Sequence, residues 1–178
     1  MENSYYSLLS TLFTEPPRLI SSNLQNGDVV RLSGKQISQI SFAGAKGSVQ
    51  AWVVKPSGFI EGMFYPLAIL VHGGPQGSWL DSWSTRWNPA VFAEQGYIVV
   101  APNITGSSGF GRHFQDSIQN NWGSLPYEDL VKCFDFIKDN MPYADTTHAV
   151  MLGASYGGYM VNWVQGNQFN YLKSYGGF

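Results

Sequence analysis

The sequence predicts an α/β fold whose sheet is parallel beyond its first strand pair, and three observations support this prediction. Short apolar runs recur at Leu67–Val71, Tyr97–Ala101 and Ala149–Leu152, and each has the length of a strand buried on both faces. Segments with helical patterning separate these runs. Two segments that favour a hairpin precede them. Strands that alternate with helices after an initial hairpin are typical of an α/β sheet.

The hairpin strands are predicted at Ile37–Ala43 and Ser48–Lys55, and the turn is predicted at residues 44–47. The two glycines of the turn suit a tight reversal of the chain. Pro56 and Gly58 end the second strand, because neither residue favours a regular strand. The first pair of the sheet is therefore expected to be antiparallel.

Two helices are predicted between the later strands. The first covers Asn88–Gln95 and is stopped by Gly96, and the second covers Pro126–Asn140. The second helix has apolar residues on one face, namely Leu130, Val131, Phe134 and Ile137. Its charged residues fall mainly on the other face: Asp129, Lys132, Asp135, Lys138 and Asp139.

Composition limits the function. The chain has 178 residues with 44% hydrophobic and 12% charged residues, which is enough for one domain with a real core. A net charge of −2 indicates no nucleic-acid or acidic-membrane partner. No apolar run approaches the roughly 20 residues of a membrane span, and Met1–Thr14 lacks the pattern of a signal peptide. The single cysteine, Cys133, is expected to be a core residue.

No cofactor is predicted. The histidines His72, His113 and His148 show no metal-ligand spacing. The glycine-rich stretch at residues 106–111 lacks both the Walker-type and the dinucleotide spacing, and it contains no lysine. Asn103 begins a glycosylation sequon, but a structural asparagine at a strand end is the favoured interpretation.

The most informative stretch is Gly153-Ala154-Ser155-Tyr156-Gly157, between a predicted strand and an apolar helical segment. Gly-x-Ser-x-Gly in this context is typical of the nucleophile elbow of the α/β-hydrolase fold. The turn is tight, so glycine is expected two residues before and two after the serine. Ser155 is therefore the candidate nucleophile, with a plain Gly/Ser turn as the alternative.

A serine nucleophile needs an oxyanion hole. One donor in this fold is the N–H of the residue after the serine, which is Tyr156, and the other comes from the loop after the third strand. The glycine-rich loop His72–Ser78 occupies that place in chain order. Trp79, Trp83 and Trp87 follow at intervals of four residues. They either line a pocket for an apolar side chain or belong to the core, and the core is the favoured interpretation.

With these motifs in place, the sequence resembles the catalytic domain of the prolyl oligopeptidase family of serine peptidases over roughly residues 37–166. Four stretches carry the resemblance in order: AWVVKPSGF; LVHGGPQGSWLDSWSTRWNPAVFAEQGY; APNITGSSGFGRHF with NWGSLPYEDL; and LGASYGGYMVNWVQG. The resemblance implies that Ser155 is the nucleophile and that the N–H groups of Gly74 and Tyr156 are the oxyanion donors. It also implies oligopeptide substrates, release of N-terminal dipeptides and secretion.

The chain departs from the family in one respect. An α/β-hydrolase triad runs in the order Ser, Asp or Glu, His, yet the 23 residues after Ser155 contain no Asp, Glu or His. We therefore expect an incomplete α/β-hydrolase fold at residues 36–178, a fragment of a peptidase domain that is inactive by itself. Residues 1–35 are expected to be a linker or the tail of a preceding β-propeller.

Two other functions stay open on the sequence alone. Esterases and acylaminoacyl peptidases share the Gly-x-Ser-x-Gly turn and the His-Gly-Gly loop. A non-catalytic remnant that binds peptides would also fit a serine without its base. The oligomeric state is not indicated.

Overall fold

The computed structural model describes residues 21–23, 28–30, 37–82 and 86–167. The strands are β1 (Ser21–Asn23), β2 (Asp28–Val30), β3 (Ile37–Ala43), β4 (Ser48–Val54), β5 (Tyr65–Val71), β6 (Ile98–Pro102) and β7 (Ala144–Gly153). The helices are α1 (Pro89–Ala93), α2 (Arg112–Asp116), α3 (Leu125–Asn140) and α4 (Tyr156–Gly166). Strands β1 and β2 form an antiparallel pair, and β3–β7 form a five-stranded sheet.

The five-stranded sheet has the order β3-β4-β6-β5-β7. Strands β6, β5 and β7 are parallel to one another, as predicted. The β3–β4 hairpin joins them through an antiparallel pairing of β4 with β6. The parallel strands end at Val71, Pro102 and Gly153 on one side of the sheet, which we call the carboxyl edge. The opposite side is the amino edge.

Most predicted elements are confirmed to within two or three residues, and two differ more. Strand β7 starts at Ala144, five residues before the predicted start at Ala149, because its first half is polar and gives no apolar signal. The register of β5 against β7 also shifts between Pro66 and Leu67. The short helix α2 was not predicted, since five residues give too little periodicity to detect.

The core lies on both faces of the sheet. Successive residues of a strand point to opposite faces, so Leu67 and Ile69 pack in one cluster and Ala68 and Leu70 in another. The first cluster includes residues of α3 and α4, and the second includes residues of α1. The prediction that β5 and β6 are buried on both faces is therefore confirmed.

Helix α3 confirms one prediction and corrects another. Cys133 is fully buried in the core as predicted, and burial raises the pKa of its thiol. Asp129 was placed mainly on the polar face, which is wrong because its side chain is also fully buried. Among the described helices, none combines the length and the apolar character needed to cross a membrane.

Candidate active site

The turn between β7 and α4 holds Ser155 in an unusual backbone conformation. Strand β7 ends at Gly153 and α4 begins at Tyr156, so only two residues reverse the chain. Ser155 has φ 58° and ψ −125°, a positive φ that a residue with a side chain rarely adopts. The residue is exposed at the carboxyl edge. This is the strand–turn–helix context predicted for the motif.

The two glycines of this turn leave no room for a side chain. A Cβ atom built on Gly153 would lie 2.6 Å from the carbonyl carbon of Gly157 and 2.8 Å from the carbonyl oxygen of Val71. A Cβ atom on Gly157 would overlap the same oxygen of Val71 and would lie 3.0 Å from the carbonyl oxygen of His72. The crowding expected from the sequence is therefore present, and it comes from backbone atoms that cannot move aside.

The glycine loop (residues 72–79) packs directly against this turn. A Cβ atom on Gly73 would lie 3.3 Å from the carbonyl oxygen of Ala154 and 3.4 Å from the Cβ atom of Ser155. Gly74 has φ +132°, and a Cβ atom there would lie 2.5 Å from the backbone nitrogen of Gln76. The backbone of the loop can therefore approach anything bound beside Ser155.

Tyr156 contributes to the turn through both its backbone and its side chain. As the first residue of α4, it has no carbonyl within the helix to which its N–H can donate. Its hydroxyl donates to the backbone carbonyl of Trp122 at 2.7 Å, and burial raises the pKa of the phenol. The side chain thus anchors the start of α4 while the backbone N–H stays at the carboxyl edge.

The three histidines of the chain all lie among the described residues, and their contacts point away from a role as the base for Ser155. His72 Nδ1 is 2.8 Å from the carbonyl oxygen of Gly73, and its Nε2 is 2.7 Å from Ser107 Oγ. Burial lowers the pKa of His72 and favours the neutral ring. His148 Nδ1 is 2.7 Å from Asp145 Oδ2 near the amino edge, and His113 is exposed on α2.

A cavity of about 480 Å³ opens beside Ser155 at the carboxyl edge. Trp79 and Trp87 line it together with Phe92 and Leu152. Trp79 also packs against the core cluster of Ala68 and Leu70. This tryptophan therefore both lines the pocket and belongs to the core, the two alternatives considered for it. Trp87 has 48% of its surface exposed, so it lines the cavity and does not belong to the core. Trp83 lies outside the described residues.

The loop after β6 carries buried polar side chains. Asn103, Thr105 and Ser107 are each at most 1% exposed. Asn103 Oδ1 accepts the backbone N–H of Trp79 at 2.7 Å, and its Nδ2 donates to the carbonyl of Trp79 at 3.0 Å. The interpretation of Asn103 as a structural residue is confirmed.

Asp129 binds the same loop from the other side. Its Oδ1 accepts the N–H of Ala45 at 2.7 Å, and its Oδ2 accepts the N–H of Thr105 at 2.6 Å. A carboxylate buried in this way is tolerated because both oxygens have donors. It joins the β3–β4 turn to the loop that follows β6. Within the described part of the chain, no group of His, Cys, Asp or Glu residues could hold a metal ion.

Comparison with known proteins assigns the chain to a family. The model of the prolyl oligopeptidase family of peptidases matches residues 83–178, which is more than half of the chain. The chain belongs to the prolyl oligopeptidase family. The resemblance inferred from the motifs is thereby confirmed.

Relatives within the family are about half identical to this chain. The Aspergillus clavatus protein named "Probable dipeptidyl-peptidase 5" is 53% identical over 163 residues, covering 89% of this chain and 22% of that protein. Dipeptidyl-peptidase 5 of Aspergillus fumigatus is 49% identical over 164 residues, covering 90% of this chain and 23% of that protein. The chain therefore spans between a fifth and a quarter of the length of these relatives.

Solved structures of other peptidases show the same fold. The acylaminoacyl peptidase of Pyrococcus horikoshii superposes with a TM-score of 0.62 at 28% identity, over 71% of this chain and 20% of that chain. Dipeptidyl peptidase 4 of Porphyromonas gingivalis gives a TM-score of 0.63 at 25% identity, over 72% of this chain and 18% of that chain. The chain of this prolyl oligopeptidase family member has part of an α/β-hydrolase fold.

The sequence motifs of this family member predicted the turn at Ser155 and the glycine loop. They gave no indication of the contacts that hold the loop in place. In the sequence, His72 was noted only for its lack of metal-ligand spacing and as the start of the glycine-rich loop, and Ser107 and Asp129 were given no role in the site. Their partners lie 24–84 residues away along the chain, and no local spacing encodes such pairs. The only available signal was three polar residues, Asn103, Thr105 and Ser107, directly after an apolar strand.

Proposed function

We propose that this chain is part of a serine peptidase in which Ser155 is the nucleophile. The observation that carries the proposal is the positive φ of Ser155 in a two-residue turn between two glycines that no other residue could replace. Such a strained turn at the start of a helix persists only where the surrounding structure enforces it, and it lifts the hydroxyl clear of the sheet. The backbone N–H groups of Gly74 and Tyr156 are the proposed oxyanion donors.

The proposed chemistry is acyl transfer. Ser155 Oγ attacks the scissile carbonyl and loses its proton to a base, and the carbonyl oxygen becomes an oxyanion between the two N–H groups. The helix dipole of α4 adds stabilisation for the negative charge. Because both ring nitrogens of His72 already have partners, we propose that the histidine base and its carboxylate lie outside this chain in the complete protein.

The proposed substrates are oligopeptides from which N-terminal dipeptides are released. The names of relatives at 49–53% identity support this choice over other hydrolase activities. The cavity beside Ser155 offers tryptophan and leucine surface to an apolar side chain of the substrate. We also propose that the complete protein is secreted and that residues 1–35 connect to a preceding β-propeller, which the antiparallel pair β1–β2 fits.

The test uses the complete gene product that contains these residues. Dipeptidyl amides with a free amino terminus are expected to be cleaved. Ser155→Ala is expected to lower kcat/KM by about 10⁴-fold or more. Ser38→Ala, on an exposed position of β3, is the matched control and is expected to keep full activity. Turnover that survives Ser155→Ala would overturn the proposal.

The second candidate is an acylaminoacyl peptidase, which the structural likeness to the Pyrococcus horikoshii enzyme favours. An N-acetylated peptide substrate separates the two activities. If the protein cleaves the N-acetylated peptide and does not act on the free dipeptidyl amide, acylaminoacyl peptidase activity replaces dipeptide release as the proposed function. Peptide binding that survives Ser155→Ala, with no turnover of any substrate by the wild type, would instead indicate a non-catalytic binding protein.

A further inference from the structure

The cavity beside Ser155 is bordered by both parts of the site that would hold a reacting peptide. Ala154 and Ser155 of the turn line it, and so do Gly73 and Gly77 of the glycine loop. A peptide whose scissile carbonyl lies between Ser155 and this loop therefore has one of its two halves next to the cavity. The residues that line the cavity indicate which half it is.

One wall of the cavity is held rigidly. Trp79 lines the cavity, and its indole Nε1 donates to the carbonyl of Leu70 at 3.1 Å. Its backbone carbonyl accepts from Nε1 of Trp52 at 3.0 Å, and its backbone N–H donates to Asn103 Oδ1 at 2.7 Å. Trp87 adds further apolar surface. Because this wall is formed before any ligand binds, an apolar side chain can pack on it without a large ordering cost.

Arg86 gives the cavity its charge. Among the described residues that line the cavity, Arg86 is the only one with a formal charge, since burial lowers the pKa of His72 and favours its neutral form. Arg86 is exposed and so lies at the mouth of the cavity. A guanidinium has five N–H donors in a planar fork, and two of them match the two oxygens of a carboxylate. The cavity therefore suits a ligand with an apolar side chain and a carboxylate.

The charges of a peptide substrate decide which of its halves fits this cavity. In the proposed reaction, the two residues before the scissile bond end in a free ammonium group, and the residues after it end in a carboxylate. The guanidinium of Arg86 repels the ammonium group and attracts the carboxylate. The described lining residues also include no Asp or Glu that would hold an ammonium group. The cavity is thus matched to the leaving half of the substrate.

We propose that Arg86 is a specificity-determining residue that binds the carboxylate of the leaving group. The side chain of the first residue after the scissile bond packs against Trp79 and Trp87. The inference rests on the proposed function of Ser155. It favours short peptides with a free carboxyl terminus, because their carboxylate lies within reach of the mouth of the cavity. Arg86 has no part in hydrolysis of the acyl-enzyme, since the leaving group has departed by that step.

The first test compares two substrates that differ only in one charge, with the complete gene product as the enzyme. A tripeptide ending in phenylalanine is offered as the free acid and as the carboxamide. The free acid is expected to have a kcat/KM about 5- to 20-fold higher, as for a partly exposed charged hydrogen bond. Arg86→Gln is expected to remove this preference by lowering kcat/KM for the free acid alone.

Two further variants sharpen the comparison. Arg86→Lys keeps the charge without the fork of donors and is expected to keep part of the preference. Arg112→Gln removes an exposed arginine of α2 that pairs with Asp116, and this matched control is expected to keep the full preference. A wild type without preference for the free acid would overturn the proposal.

A dipeptidyl aryl amide has a leaving group without a carboxylate. Its kcat/KM is therefore expected to change by less than about twofold in Arg86→Gln. An equal loss for the aryl amide and for the free tripeptide would overturn the proposal, because Arg86 would then act on the acyl half or on the fold. Added salt is expected to weaken the preference for the free acid, since it screens an exposed charge.

A binding measurement separates this proposal from the proposed function. Ligand-observed NMR titrations of the Ser155→Ala protein use N-acetyl-phenylalanine and its carboxamide as mimics of the leaving half. Tighter binding of the carboxylate, lost when Arg86→Gln is added, is the expected result. Equal binding of the two mimics would overturn the role of Arg86 even where turnover depends on Ser155. Carboxylate-selective binding in a protein whose wild type shows no turnover would overturn the proposed function and support the carboxylate site.

Discussion

The two edges of the sheet are held by different kinds of contact. At the carboxyl edge, backbone packs on backbone, and Gly153 and Gly157 have no space for a Cβ atom. At the amino edge, the contacts are made by side chains. Lys55 Nζ lies 4.1 Å from the ring centroid of Phe59 and 4.3 Å from that of Tyr143, and Asp145 accepts from Thr147 and contacts His148.

This difference affects tolerance to substitution. Contacts at the amino edge are local or partly exposed, so losing one removes only that contact. Contacts at the carboxyl edge are rigid and shared, because the carbonyl of Val71 limits both Gly153 and Gly157. We therefore expect single substitutions at the carboxyl edge to be several times more harmful than those at the amino edge, and four experiments test that contrast in order of decreasing effect.

The largest effect is expected for Gly157→Ala. The new methyl group would overlap the carbonyl oxygen of Val71, and neither backbone can yield without distorting β5 or α4. The free energy of unfolding is expected to fall by about 3 kcal/mol or more, or the chain to fail to fold. Gly166→Ala at the end of the same helix has nothing within 4 Å. It is the matched control, expected to be neutral or slightly stabilising in urea unfolding.

Asp129→Ala is expected to have the next largest effect. It leaves the N–H groups of Ala45 and Thr105 buried without their acceptor, and each such loss costs about 1–3 kcal/mol. A drop of about 2–4 kcal/mol in the free energy of unfolding should follow. Asp139→Ala, exposed on the same helix, should change that free energy by less than about 0.5 kcal/mol. Equal effects of the two variants would contradict the burial of Asp129.

His72 gives a pH dependence of moderate size. Its folded pKa lies below the unfolded value of 6.5, so below that pH the unfolded state binds more protons. Stability is therefore complete above pH 6.5 and falls as the pH drops, by up to about 1.4 kcal/mol per pH unit. Urea unfolding at pH 7 and pH 5 should show a smaller fall for His72→Gln. The control His113→Gln should keep the wild-type slope.

The smallest effect is expected at the amino edge. Lys55→Met removes the charge above the rings of Phe59 and Tyr143 while keeping most of the aliphatic contact. The expected loss is about 0.5–1 kcal/mol in thermal or urea unfolding. A loss as large as that of Gly157→Ala would remove the contrast between the two edges.

The sequence predicted the features that local patterns encode. Apolar runs gave β5 and β6, and the Gly-x-Ser-x-Gly spacing gave the turn at Ser155, because both depend on neighbours within a few residues. The first half of β7 escaped detection because it is polar, and only Ala144 and Asp145 of it pair with β5 before the register shifts. The burial of Asp129 escaped as well, since periodicity places a side chain on a helix face but does not say what covers that face.

The candidate site divides in the same way. Ser155, Gly74 and Tyr156 were predictable as candidates because they belong to continuous motifs, and their catalytic roles stay predictions. His72 and Ser107 are 35 residues apart and come together only when β5 and β6 lie side by side. Because this contact depends on the pairing of the two strands, the local sequence around either residue does not predict it.

The burial of Cys133 has a practical consequence. The chain has one cysteine, Cys133. It lies on the buried face of α3 with a pKa raised by burial, so thiol reagents cannot attack it while the helix is packed on the sheet. Its alkylation rate in increasing urea therefore reports how often α3 detaches from the sheet. Cys133 is therefore a natural probe for opening of the core, and mass spectrometry detects each opening that leads to alkylation as one added label per molecule.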